Sequence, residues 1–371
     1  MVVFRARLRY NPYTMKIGII GLPQTGKKTL FELLTNHKIS EKDLASNKNI
    51  KSIAEIKDPR YDKLVELYKP KKNVRARIDI ELLPKIEKDA ITKGDIFKDI
   101  AETDAICHVV RAFKDDSVYH INGTVDPKRD IDSVNSELIL HDLIFAEKRL
   151  EKLDLDLRKA KDEAKAKERD VVARIKAHIE KELPLRLLEL RPEEKRTVAS
   201  YPFVTLKEMI LAVNVSEDDL KNKALLDDLN KKYEHLKIEV MLVSAKVESE
   251  IASLETEKEQ QEFLSALGIE EPAINMLSRL CIRALNLISF FTVGEDEVRQ
   301  WPVKRNSSAP EAAGAIHSDL QKGFIRAEVI KFADLEGLGS EEKVKEAGKL
   351  YLKGKEYIVE DGDIINIRFN V

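Results

Sequence analysis

Sulfur and aromatic residues are scarce. Of 371 residues, two are cysteine, one is tryptophan, and 6% are aromatic. Cys107 and Cys281 stand in apolar surroundings ("DAICHVV", "SRLCIRAL") without metal-ligand spacing. That excludes a disulfide framework and a cysteine metal site, and it fits core thiols in a reducing, cytoplasmic setting. No apolar run approaches the ~18 residues of a membrane span. The opening "MVVFRARLRYNPYT" lacks the continuous apolar stretch of a secretory signal. Residues 1–14 are expected to be either a mis-assigned start or a disordered extension. Charge of one sign is lacking too: 64 Lys and Arg face 66 Asp and Glu, for a net −2. No global field draws the chain to nucleic acid or an anionic membrane, so any such contact must come from a local patch.

Apolar and charged residues are both plentiful. Hydrophobic residues make up 43% of the chain, enough for a sizeable core in two or three domains. Charged residues make up 35%, above the roughly 25% of an average domain. That excess suits a heat-adapted source or a long exposed helical hairpin.

Five apolar runs read as buried strands: "KIGIIGL", "RIDIELL", "AICHVVRAF", "MILAVNV" and "IEVMLVSA". Helical patterns lie between most of them. The expected fold class is therefore α/β, a parallel sheet covered on both faces, with ligands at the carboxyl ends of its strands. After the first strand comes "GLPQTGKKT", which nearly fits the phosphate-binding pattern G-x-x-x-x-G-K-[ST]. Gly21, Gly26 and Lys27 match, but Lys28 stands where the hydroxyl should be. Backbone N–H groups from Gln24, Thr25, Gly26, Lys27, Lys28 and Thr29 are candidate phosphate donors.

Leu143, Ala146, Leu150, Leu153, Leu157, Ala160 and Ala164 recur at 3-4 spacing among charged residues, as in a coiled-coil seam. Val172, Ile175, Ile179 and Leu183 form a second helical pattern, limited by Pro184. Together they predict an inserted antiparallel hairpin over residues 137–199. Beyond about residue 280 the pattern becomes strand-rich: "ISFFTV", "EVRQWPVK", "FIRAEVIKF" and "IINIRFNV". In the last, Ile365, Ile367, Phe369 and Val371 alternate, which predicts one buried face. Residues 281–371 are read as a small α+β domain that folds alone.

These strings resemble the YchF-type Obg-like ATPases, a branch of the translation-factor-like P-loop NTPases. "GLPQTGKKTLF", "ETDAICHVVRAF", "DIDSVNSELILHDL", "AVNVSE", "VSAKVESEI", "LISFFTVGEDEVRQW", "APEAAGAIHSDLQKGFIRAEVI" and "YIVEDGDIINIRFNV" carry the likeness, from Lys16 to Val371. The resemblance implies a P-loop nucleotide-binding domain over residues 15–136 and 200–280, the helical arm, and a C-terminal ubiquitin-like β-grasp (TGS) domain. It implies binding of ATP in preference to GTP, and association with the ribosome and its RNA. No membrane or DNA partner is expected, and a monomer is. Asn214 and Glu217 would form its base-recognition N-x-x-E motif, with Val215 replacing the lysine that stacks on a base in N-K-x-D. The same "NVSEDDL" also reads as a cap for a helix starting near Ser216. Ser244 and Ala245 would line the base from the next strand end.

The departures concern metal and γ-phosphate. Lys28 replaces the Mg²⁺-ligating hydroxyl, and Thr29 lies about 100° further round the helix. The D-x-x-G segment is replaced by "IELLPKIEKDAITKGDIF", whose one glycine is Gly94; Asp79 is the available stand-in, though it sits within the strand. The region "SEKDLASNKNIKSIAEI" lacks the family's threonine, with Ser46 the nearest match. The expectation is a nucleotide binder with weak or absent hydrolysis, no protein-built metal site and no assigned catalytic residue. The alternative is a nucleotide-independent adaptor. His108 is expected in the core, and His317 on a surface or packed position. Arg299, Lys304, Arg305, Lys322 and Arg326, near Trp301 and Phe324, read as a solvated basic face or an rRNA contact.

Overall fold

The computed structural model describes residues 15–40, 42–43, 48–84 and 95–370. Residues 1–14, Ser46 and Gly94, all singled out by sequence, lie outside that set. The chain divides into two compact units.

The larger unit holds Lys16–Ser52 and Ile80–Ala284. Its sheet takes the order β2-β4-β1-β5-β6-β7, with β1 Lys16–Ile20, β2 Ile50–Glu55, β4 Arg77–Leu82, β5 Ala105–Arg111, β6 Glu208–Asn214 and β7 Ile238–Val243. β1, β5, β6 and β7 pair in parallel. β4 runs the same way: Asp79 N–H donates to Met15 O at 3.2 Å and Leu83 N–H to Ile19 O at 3.1 Å. All seven residues of β5 are buried, as a strand covered on both faces requires. One face packs Ile20, Ile106, Val110, Leu211 and Val213 against Ile131, Val134 and Tyr233.

The hairpin begins earlier than expected and turns sooner. Helix α4 spans Pro127–Lys159, and α5 spans Glu163–Ile179. Asp126 and Asp162 cap them by accepting from the backbone N–H groups of Arg129 and Lys165. The predicted seam therefore does not run through: Ala160 ends the first helix, Ala164 belongs to the second, and both are exposed. Ala146 and Leu153 are buried against Val172, Ile175 and Ile179, with Leu143 and Leu150 beside them. Cross-helix pairs Lys165–Asp156 at 2.9 Å and Arg169–Asp154 at 3.0 Å line the flanks. At the base, the fully buried Asp142 accepts from the N–H groups of Val204 at 2.9 Å and Thr205 at 2.8 Å. This carboxylate fixes the start of the returning chain to the middle of α4.

The smaller unit holds Leu285–Val371 and, unexpectedly, Ile53–Asp79. Its sheet runs β11-β10-β12-β8-β9-β3, with β3 Lys72–Val74, β8 Leu287–Thr292, β9 Glu297–Lys304, β10 Phe324–Lys331, β11 Tyr351–Lys353 and β12 Asp363–Phe369. β3 extends the sheet by parallel pairing with β9. Helix α2, Pro59–Tyr68, buries Tyr61 and Leu64 against Phe291, Val298, Ile330 and Ile364. Arg60 donates to both carboxylate oxygens of Asp361, at 3.0 and 3.1 Å, and lies over the Phe291 ring. Within the residues 15–136 expected to form the nucleotide-binding domain, the segment between β2 and β4 packs instead with Leu285–Val371. Short strands and an amphipathic helix carry no mark of which core they fill. On the opposite face, α11, Ala309–Ile316, packs its alanines against Phe290, Ala327, Val329 and Ile365. Ile365 is 2% exposed but Phe369 is 37% exposed, so the predicted alternation in β12 gives a buried face only at its start.

Candidate functional site: a P-loop cradle

The loop between β1 and α1 (Lys27–Thr35) is held by two glycines that no other residue replaces cheaply. Gly21 has φ +155°, and an added Cβ would sit 2.5 Å from Val109 O. Gly26 has φ +90°, and its Cβ would sit 2.2 Å from Asn214 Nδ2. Between them, Gln24 adopts φ +60°, and Thr25 Oγ1 donates to Leu22 O at 3.1 Å. Gly26 then caps α1 without offering a side chain, and the first turn of α1 contains no acidic residue. The helix presents its N–H groups with their dipole unopposed, an arrangement suited to phosphate.

Lys27, only 8% exposed, donates from Nζ to Gly21 O at 2.6 Å. His108, on β5, is buried, and its imidazole is pushed down to about 3 by burial first and by the nearby Lys27 charge second. Its Nδ1 has no hydrogen-bond partner. The imidazole is therefore neutral at physiological pH.

Asn214, at the end of β6, joins the loop to the next strand. Its Nδ2 donates to Thr25 O at 3.0 Å, and its Oδ1 accepts from Ala245 N–H at 3.0 Å. Ser244 is buried, and its Oγ accepts from Val247 N–H at 3.4 Å. That bond caps α8, Ala245–Ser253. The structure thus brings Thr25, Gly26, Lys27, Asn214, Ser244 and Ala245 together. Gln24 and Lys28 are exposed, and Thr29 is half-buried on the first turn of α1. Val215 is different: it is 2% exposed and packs in the core with Leu229. Its side chain is not placed to meet a base. Glu217 is exposed in the turn after β6. No helix starts at Ser216; the next one, α7, Lys223–Tyr233, is capped by Asn222.

Two buried residues escaped the sequence reading. Arg111 is 2% exposed, and its guanidinium donates to the carbonyls of Phe113, Asp115 and Val118 at 3.0–3.2 Å. It gathers the loop that follows β5 beside Asn214, whose carbonyl accepts from Ala112 and Phe113. An arginine closing an apolar strand was the available signal. Glu81, on β4, is 1% exposed and faces the Nζ atoms of Lys51 at 3.1 Å and Lys16 at 3.4 Å. Glu81 is the second-last residue of β4, and its carboxylate is turned to these two ammonium groups. Asp79 lies further back in the same strand, which removes it as a metal-steadying stand-in.

A magnesium ion in a P-loop site takes a hydroxyl from the loop and a carboxylate from a strand end. Here Lys28 replaces the hydroxyl. In β1, β4, β5, β6 and β7, neither the last residue nor the one after it is a carboxylate. Among the described residues no group of three His, Cys, Asp or Glu is placed to hold a metal. The donors among the described residues of the loop and these strand ends do not make up that set.

The basic face is also altered. Phe324 is 5% exposed, in the core. Trp301 donates from Nε1 to Thr292 Oγ1 at 2.9 Å and carries Arg299 over its ring at 4.0 Å. These are internal contacts rather than a stacking platform. His317 is half exposed and caps the short helix Ser318–Lys322 through Nδ1.

The YchF-GTPase_C model, described as a protein of unknown function, matches residues 287–370. The chain is 41% identical to the "Ribosome-binding ATPase YchF" of Bacillus subtilis, over 95% of this chain and 99% of that one. It is 35% identical to the "Obg-like ATPase 1" of Oryza sativa, over 96% of this chain and 92% of that one. The solved Schizosaccharomyces pombe YchF GTPase superposes with a TM-score of 0.78 at 31% identity, covering 96% of this chain and 98% of that one. With its P-loop cradle, inserted hairpin and C-terminal sheet all spanned by these matches, the chain belongs to the YchF family of Obg-like P-loop NTPases.

Proposed function

We propose that the chain binds a nucleoside triphosphate, ATP in preference to GTP, in the Gly21–Thr29 cradle, and associates with ribosomes as a cytoplasmic monomer contacting rRNA. The observation that carries this reading is the Asn214 bridge. One side chain holds Thr25 O and Ala245 N–H, so the phosphate loop and the base-side loop are pre-set against each other before a ligand arrives. Relatives named as ribosome-binding ATPases support the partner. The exposed Glu217 supports ATP: its longer side chain does not reproduce the short Asp that pairs with guanine in N-K-x-D.

Turnover is weak in this reading. In-line attack on a γ-phosphate needs charge placed on it and on the leaving oxygen. The loop hydroxyl is replaced by Lys28, and among the described residues no carboxylate closes β1, β4, β5, β6 or β7. The competing reading, a nucleotide-independent adaptor, draws on the same losses. Titration with ATP and GTP, phosphate release, and co-sedimentation with ribosomes separate the two. Saturable ATP binding with background phosphate release supports the proposal. Brisk hydrolysis refutes weak turnover, and no binding of either nucleotide favours the adaptor.

A further inference from the structure

The same site, if it holds nucleotide as proposed, carries a second reading about which form of nucleotide it takes. We propose that Lys28 stands in for the metal, so that this chain binds the metal-free triphosphate at least as well as its magnesium complex. The inference rests on the nucleotide-binding proposal above.

Register comes first. The loop has no freedom to slide and bring Thr29 into the hydroxyl position. Gly21 is pinned against Val109 O, and Gly26 against Asn214 Nδ2, each where an added Cβ would fall within 2.5 Å of its neighbour. Lys27 is fixed as the first residue of α1 by burial and by its bond to Gly21 O. Lys28 is therefore the second residue, and its side chain is exposed.

Charge comes second. The cradle holds the Lys27 ammonium and the unopposed N-terminus of α1, with the exposed Lys28 carried on the first turn of that helix. The ends of β1, β4, β5, β6 and β7 supply an amide from Asn214, a hydroxyl from Ser244, the carbonyl-bonded guanidinium of Arg111 and apolar residues, but no carboxylate. The buried carboxylate of β4, Glu81, is committed to Lys16 and Lys51. A site of fixed positive charge without an anionic ligand attracts the more negative form of its ligand. Magnesium cancels much of the triphosphate's charge, and it would meet an ammonium where it normally finds an oxygen. The buried, neutral His108 adds no positive charge beside Lys27.

Isothermal titration of the full-length protein with ATP, once in EDTA and once in excess Mg²⁺, tests this. The expected result is equal or tighter binding in EDTA. Lys28→Ser should weaken binding in EDTA by about tenfold or more, the worth of one charge-assisted contact, and make binding magnesium-dependent. Lys28→Met, which keeps the stem and loses the charge, should show the EDTA loss without gaining magnesium dependence. Thermal unfolding confirms that each variant is folded. Wild-type affinity that is about tenfold or more weaker in EDTA overturns the inference and leaves nucleotide binding standing. So does a Lys28→Met variant unchanged in EDTA. No binding in either buffer removes both.

Discussion

Separating residues 285–371 from Ile53–Asp79 should leave a fragment that does not fold on its own. Tyr61 and Leu64 are 2% and 1% exposed within the core they share with Phe291, Val298, Ile330 and Ile364. Burying a large apolar side chain contributes roughly 1.5–3 kcal/mol, so these two account for roughly 3–6 kcal/mol. Val65 and Tyr68 add partial burial. β3 also covers the edge of β9, with Lys71 and Lys72 N–H groups donating to Glu295 and Asp296 carbonyls at 3.0 and 3.1 Å. A small domain has about 5–15 kcal/mol in total, so removing the segment takes away a large share of it. The assay is the amide spectrum of residues 285–371, alone and with a peptide of residues 53–79 added. The fragment should show collapsed dispersion that recovers as the peptide binds. A well-dispersed spectrum without peptide, unchanged by its addition, refutes the reasoning. In the full chain, Leu64→Ala should cost about 2–5 kcal/mol, seen as faster hydrogen exchange in β8 and β9.

Asn214→Ala should cost about 2–4 kcal/mol, because it strands Thr25 O and Ala245 N–H in the interior; urea unfolding measures it. Glu248 is 3% exposed and accepts from Ala273 N–H at 2.7 Å, at the start of α10, Ala273–Ala284. Burial lifts its carboxyl to about 7 from an ordinary value of 4.5. The folded state therefore binds the extra proton between those values, and stability falls as pH rises through them. Glu248→Gln should abolish that fall and stabilise the protein at pH 8 by up to about 3 kcal/mol. His108 has the opposite sign: its folded value near 3 lies below the ordinary 6.5, so its stabilising contribution is lost as pH drops below 6.5. His108→Phe should flatten that loss between pH 6.5 and 5, measured by urea unfolding at each pH. Ribosome co-sedimentation, if it runs through rRNA phosphates, should weaken steeply between low and moderate salt; indifference to salt refutes an electrostatic contact.

The sequence made some elements legible because their physics is local. Strand β5 is buried on both faces, and its unbroken apolar run says so. Gly21 and Gly26 announced a loop whose backbone only glycine allows. Asn214 was found through its motif, but its structural task, tying Thr25 to Ala245, depends on a contact 189 residues away in sequence. Val215 illustrates the limit of motif logic: it occupies the lysine position of the N-x-x-E pattern, yet it follows a buried strand and packs inward. Residues 53–79 were misplaced for a related reason. Tyr61, Leu64, Val65 and Tyr68 specify an amphipathic helix, but nothing in their spacing names the sheet they cover. The hairpin turn at residues 160–162 was missed because small alanines at 160 and 164 extend an apolar rhythm that Asp162, as a helix cap, interrupts.

The central claim is that the Gly21–Thr29 cradle, bridged by Asn214, is where nucleotide binds. Its most direct test is an amide and side-chain chemical-shift map of the full-length protein on adding ATP in EDTA, repeated with Lys27→Ala. The account predicts saturable shifts at Gly21, Gln24 to Thr29, the Asn214 side chain and Ala245, all lost in the variant. Shifts centred elsewhere, or shifts at the cradle that survive Lys27→Ala unchanged, would contradict it.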